Sequence, residues 1–110
     1  MSGQVEATRE NFRELVAGGT VLVDVWGPDC APCIQLRPDV ERIAEGRDLT
    51  LVMLEAPKAR RICIEMRVMG MPTFLLFANG EEVSRLTGQG LTPPKIEAWL
   101  DEALAKVPAA

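Results

Sequence analysis

The sequence contains no histidine. Cysteine–histidine nucleophilic catalysis is therefore excluded, and so is any zinc site with a histidine ligand. Cysteine is scarce too, at three residues. Zinc normally takes four ligands, and Cys63 brings no second Cys-X-X-Cys pair, so a metal would have to bridge two subunits; neither metal nor cofactor is expected. No apolar run approaches the roughly 20 residues of a membrane span. The opening Met1-Ser2-Gly3-Gln4-Val5-Glu6 has neither the basic region nor the apolar core of a secretory signal, so a cytoplasmic location is expected. There is no basic stripe, and the net charge of −4 argues against nonspecific nucleic-acid binding.

What is present is the composition of an ordinary globular protein: 110 residues, 47% hydrophobic and 25% charged. Residues 1–110 are read as a single domain, large enough for a core without staples. Val5 to Thr8 has a weak edge-strand signal. Thr8 is placed to cap a helix with Phe12, Leu15 and Val16 inward, ending at Gly18-Gly19. Thr20 to Trp26 is apolar except for Asp24, as in a strand buried on both faces. A helix from about Cys30 to Glu45 follows, with Leu36, Val40 and Ile43 inward, a bend at Pro38 and a stop at Gly46. Leu49 to Leu54 is a second buried strand, and Lys58 to Met66 a short helix carrying Ile62, Cys63 and Met66. Thr73 to Phe77 and Glu82 to Thr87 flank Asn79-Gly80, a strong hairpin signal. Thr92-Pro93 opens a last helix with the stripe Ile96, Trp99, Leu100, Ala103, Leu104 and Val107, and Pro108-Ala109-Ala110 is expected to fray. This alternation gives an α/β fold, a mixed sheet with helices on both faces.

The chemistry concentrates in Trp26-Gly27-Pro28-Asp29-Cys30-Ala31-Pro32-Cys33, at the junction of a buried strand and a helix. Thiols three residues apart at a helix start lie one turn from each other, one facing solvent and one inward. The helix N-terminus stabilises an anion, so Cys30 should ionise more readily than a free thiol. A short reversible disulfide is the natural reading, since in a reducing compartment a cysteine pair is more often catalytic than structural.

These residues resemble the thioredoxin family, and the handful of matching positions spans about Thr8 to Val107. Asp24 lies six residues before Cys30, where the family carries a buried aspartate. Trp26 matches the tryptophan of its Trp-X-X-X-Cys-X-Pro-Cys run, Pro38 its helix-bending proline, and Gly70-Met71-Pro72-Thr73 the loop with a cis proline beside the disulfide. Asn79-Gly80 and Gly88 fall at its hairpin turn and the glycine after its last strand. The resemblance implies the thioredoxin fold, a mixed sheet of four to five strands with about four helices. It also implies a protein-disulfide reductase, re-reduced by a thioredoxin-reductase-type flavoprotein, acting on disulfide-containing client proteins and expected as a monomer. A disulfide oxidant or isomerase, and an interaction module without turnover, are the alternatives.

Within that resemblance Cys30 is the attacking thiolate and Cys33 the resolving thiol. Asp24 interrupts an apolar strand, and burial raises a carboxyl pKa, which suits a proton acceptor for Cys33; the competing reading is a structural carboxyl. Met71 and Pro72 would offer backbone for strand addition by a client, where a trans proline would only begin a strand. Trp26, Asp29, Ala31 and Pro32 complete the set assigned to client contact, Trp26 chiefly by packing beneath the thiols. Cys63 is read as a small core residue rather than a regulatory thiol.

The chain departs from the family at Asp29, where tryptophan is usual, at Ala31, where glycine is usual, and at Met53, where a lysine commonly lies near the aspartate. Asp29 brings a negative charge to Cys30 and is placed to engage the helix amides; both effects disfavour the thiolate. Asp29→Trp should therefore lower the pKa of reduced Cys30 by about half a unit to one unit. A thiolate absorbance titration at low and high salt checks this; an unchanged or higher pKa would show that the charge does not tune the site.

Overall fold

A computed structural model of the protein describes residues 4–107. The expected fraying of residues 108–110 lies outside them. Five strands form one sheet: β1 (Gln4–Ala7), β2 (Thr20–Trp26), β3 (Thr50–Glu55), β4 (Thr73–Ala78) and β5 (Glu81–Thr87), in the order β1-β3-β2-β4-β5. β3 runs parallel to both β1 and β2, while β4 is antiparallel to β2 and β5. The central position of β2 explains why its sequence is a nearly continuous apolar run: both faces are covered.

Side chains alternate across that strand, and two separate cores result. Val21, Val23 and Val25 join Val52, Leu54, Leu75 and Phe77 beneath α1 (Phe12–Leu15) and α3 (Arg60–Glu65). Leu22 joins Leu51, Met53, Phe74 and Leu76 on the other face, beneath α2 (Ala31–Glu45) and α4 (Pro93–Leu104). From α2 come Leu36, Val40 and Ile43, and from α4 Ile96, Leu100 and Ala103, the inward positions that helical periodicity indicated. Trp99 and Leu104 are only half-buried at the edge of this core.

Local chemistry sets most element boundaries. The Thr92 hydroxyl accepts the Lys95 N–H at 3.4 Å, and Pro93 occupies the first turn of α4. Asn79 and Gly80 take φ of 53° and 87°, the left-handed pair that joins β4 to β5 tightly. Arg47 fastens α2 to α4: its guanidinium donates twice to Asp101, at 2.9 and 2.8 Å, once to Glu97 at 2.9 Å, and once to the Ile43 carbonyl at 3.0 Å. It thereby also satisfies a carbonyl in the last turn of α2.

Thr8 and Asn11 exchange side-chain-to-backbone hydrogen bonds at 2.6 and 3.2 Å, and the Thr8 carbonyl accepts the Phe12 N–H at 3.0 Å, so Thr8 caps the turn that leads into α1, whose regular helix begins at Phe12. One expectation is corrected. The expected helix from Lys58 to Met66 is two pieces. A 3-10 turn, Ala56–Lys58, forms around Pro57, and Ala59 then leaves helical geometry (φ −136°, ψ 43°) to bury its methyl before α3 begins. Gly46 does end α2, but at φ −77°, without the left-handed turn associated with a terminal glycine.

Candidate active site

β2 ends at Trp26, and the chain turns at Gly27, whose carbonyl accepts the Cys30 N–H at 3.1 Å. Cys30 is the N-cap of α2 in extended conformation (φ −95°, ψ 96°), and its sulfur accepts the Cys33 N–H at 3.3 Å. A thiolate at Cys30 thus has one of the unsatisfied helix amides already aimed at it. Asp29 was expected to engage those amides; the sulfur accepts the Cys33 N–H instead, and Asp29 is exposed.

Cys30 and Cys33 form a disulfide with Cα atoms 5.3 Å apart. The two sulfurs are not equivalent. Cys30 is half-exposed, while Cys33, one turn into the helix on its inner side, is 3% exposed. Pro32 lies between them in the first turn, where its missing N–H leaves no helical bond unmade.

The opposite wall comes from the loop before β4. The Met71–Pro72 peptide bond is cis. Thr73 holds this loop in place: its hydroxyl bonds the Gly70 carbonyl at 2.7 Å and the Thr87 hydroxyl at 2.9 Å. Arg85 of β5 fastens the segment that leads into it, donating to the carbonyls of Met66 at 2.8 Å and Arg67 at 3.2 Å. A Cβ at Gly27 would lie 2.9 Å from the Met71 sulfur, so the glycine leaves room for this flexible side chain to rest against the turn. Between the walls is a groove of about 410 Å³ lined by Cys30, Pro32, Leu36, Met71, Pro72 and Leu91, among others. Of the residues assigned to client contact, Pro32, Met71 and Pro72 therefore line the groove. Trp26, Asp29 and Ala31 do not: Trp26 packs against the core under α2, and Asp29 and Ala31 are exposed beside Cys30.

Asp24 is 2% exposed, on the β2 face that α2 covers. Its Oδ1 is buried without a hydrogen-bond partner. Burial pushes its pKa from 3.8 up to about 7, with the positive charge of Arg37 pulling it down and the negative charge of Glu41 adding to the rise. Neither Arg37 nor Glu41 belonged to the set drawn from the sequence. Their spacing, four and eight residues after Cys33, places them on one helix face but does not show that Asp24 lies opposite. Cys63 is 7% exposed within the core on the far face of the sheet, where burial raises its pKa and keeps it a thiol.

The thioredoxin family model matches residues 3–102. A thioredoxin of Acetoanaerobium sticklandii is 34% identical over 99 residues, spanning 86% of this chain and 94% of that protein. One of Peptoclostridium acidaminophilum is 35% identical over 101 residues, spanning 87% and 91%. Among solved structures, a mutant thioredoxin from Halobacterium salinarum has the same fold, with a TM-score of 0.83 over 98% of both chains at 24% identity.

Two outcomes follow from this geometry. After reduction, brief iodoacetamide treatment should label Cys30 before Cys33 or Cys63, as read by mass spectrometry; first labelling of Cys33 would reverse the assignment of the accessible thiol. The second concerns Asp24. Its folded pKa lies above the unfolded value, so the folded protein holds the extra proton between about pH 4 and pH 7. Stability is lost as pH rises through that window. Asp24→Asn should accordingly be more stable than the parent by about 2–4 kcal/mol near pH 9 and close to it near pH 4, in urea unfolding of the oxidised protein. A stability difference independent of pH would contradict this.

Proposed function

The chain belongs to the thioredoxin family, and on that premise we propose that Cys30 attacks client disulfides and Cys33 resolves the resulting mixed disulfide. The protein is a thiol–disulfide oxidoreductase, a protein-disulfide reductase of the thioredoxin type. The observation that carries the residue roles is the asymmetry of the pair: a half-exposed sulfur on the groove and a buried one a turn deeper.

In this reading the reduced Cys30 thiolate attacks one sulfur of a client disulfide. A Cys30–client bond forms, and the client's other sulfur leaves as a thiolate that takes a proton from solvent. Asp24 then accepts the proton of Cys33, and the Cys33 thiolate attacks the Cys30 sulfur. The second client sulfur leaves as a thiolate and takes up a proton, balanced by the one that Cys33 gave to Asp24 and that Asp24 then releases. The client has gained two electrons and two protons, and the Cys30–Cys33 disulfide is left behind. A carboxyl with a pKa of about 7 suits the middle step, since it is a strong enough base to take the proton and is still ionised in part at neutral pH.

A client segment laid in the groove would pair its backbone with that of Met71 next to Pro72, a form of strand addition, with Pro32, Leu36 and Leu91 as apolar contacts. A thioredoxin-reductase-type flavoprotein returns the two electrons. The protein acts as a monomer in the cytoplasm; none of its described helices is long and apolar enough to cross a membrane.

Reduction of insulin disulfides by dithiothreitol tests the assignment. The parent protein should accelerate precipitation of the insulin B chain, and Cys30→Ser should abolish the acceleration. Cys33→Ser should instead accumulate a mixed disulfide at Cys30, visible as an added client mass. Absence of the adduct, or an adduct on Cys63, would overturn the roles given to the two thiols.

A further inference from the structure

The sheet gives Asp24 no cation. Its register partners are Met53 on β3 and Phe74 on β4, both buried and apolar and both on the same face. α4 covers that face with Ile96, Leu100 and Ala103, which carry no charge either. The charged groups felt by Asp24 come from α2 alone, as Arg37 and Glu41.

Arg37 is held by an aromatic ring. Its Cζ stands 4.2 Å from the centroid of Trp26, which lies two residues after Asp24 and therefore on the same face of β2. Its Nε and Nη2 are buried and make no hydrogen bond, and among the described residues it enters no ion pair. A planar guanidinium can be fixed in this way by stacking, with its charge left unneutralised, where a lysine ammonium would seek water or a carboxylate. Trp26 Nε1 is likewise buried without a partner, so the pair is held by the stack and by the packing of Trp26 against the core, with no hydrogen bond from these buried nitrogens.

We propose that Arg37 is a positioning residue for the resolving half-reaction: stacked on Trp26, it supplies the positive charge that lets Asp24 ionise within the core. The inference rests on the role of Asp24 as proton acceptor given above. Arg37 stands one helical turn after Cys33, so the charge and the thiol whose proton is to be moved share one side of α2. Glu41, a further turn on, opposes it; burial raises the pH at which Asp24 can act, and the two charges adjust it in opposite directions.

Arg37→Met keeps an unbranched apolar stem over Trp26 and removes the charge, Arg37→Lys restores a charge, and Glu41→Gln removes the opposing one. The Asp24 carboxyl is titrated directly by carbon-13 NMR in the oxidised protein. Release of client from a preformed Cys30 mixed disulfide is followed by rapid mixing across pH. In Arg37→Met the Asp24 midpoint should rise by about one pH unit. Release near pH 7 should slow by up to about tenfold and recover near pH 9, with the initial attack by Cys30 unchanged. Arg37→Lys should recover part of the shift, and Glu41→Gln should move the midpoint down. An unchanged Asp24 midpoint in Arg37→Met overturns the inference. If Asp24→Asn slows release but Arg37→Met does not, this inference alone fails. If Asp24→Asn releases client at the parent rate, the proton-acceptor reading fails, and the role of Arg37 with it.

Discussion

Burial of the Asp24 carboxyl in the central strand is the constraint to which the surrounding elements are fitted. An isolated carboxylate in an apolar interior is destabilising by several kcal/mol unless it takes up a proton or finds a charge. On one side of β2 the neighbours Val23 and Val25 meet an ordinary aliphatic core. On the other, Asp24 sits between Leu22 and Trp26 in a face otherwise made of Leu51, Met53, Phe74 and Leu76. Of the elements on that face, α2 brings the charged groups that Asp24 feels. Its orientation is fixed by the apolar positions Leu36, Val40 and Ile43 and by the clamp of Arg47 on Asp101 and Glu97. The same orientation turns Cys33 inward and leaves Cys30 at the open end.

The accessible thiol depends on three segments distant in sequence. β2 delivers the turn at Gly27, α2 begins at Cys30, and the loop before β4 brings Met71 and Pro72. They meet because β2 and β4 are antiparallel neighbours, so that the end of one lies next to the start of the other: Val25 is in register with Thr73. The Thr73 and Arg85 hydrogen bonds then hold the loop, and the missing Cβ of Gly27 allows the Met71 sulfur to close against the turn. None of these contacts involves a charge at the groove itself. Asp29 is the one formal charge adjoining Cys30 in sequence, and it is exposed, where solvent and salt weaken it.

The buried charges and the buried thiols thus divide the labour by depth. Cys30, at the helix end, relies on a backbone amide that is present in any helix of this orientation. Cys33, deeper, has no such help, and a proton leaving it must pass to a group already inside. Cys63 shows the contrasting case: a thiol buried among Ile62, Met66 and Val68, kept protonated by burial.

Much of this was legible in the sequence because it is decided locally. The Asn79-Gly80 turn, the Thr92-Pro93 helix start and the apolar run of β2 each follow from steric or burial preferences of a few adjacent residues. The Cys-Ala-Pro-Cys spacing fixed the pairing of thiols for the same reason, since one helical turn separates them. Resemblance to a known family supplied the likeness of Asp24 and Pro72 to functional positions. What the tertiary structure alone decided are the contacts between elements. Ala59 breaks the expected helix because its methyl is needed in the core of the far face. Trp26 was expected to pack beneath the thiols and does so under α2; that it lines no part of the groove follows from the packing of β2 against that helix. Arg37 reads in sequence as one more polar helix residue, flanked by Leu36 and Pro38. Its significance arises only when β2 and α2 pack face to face and the Trp26 ring receives it above a buried acid, because a Coulomb interaction depends on distance in space and on the dielectric between the charges, and sequence spacing encodes neither.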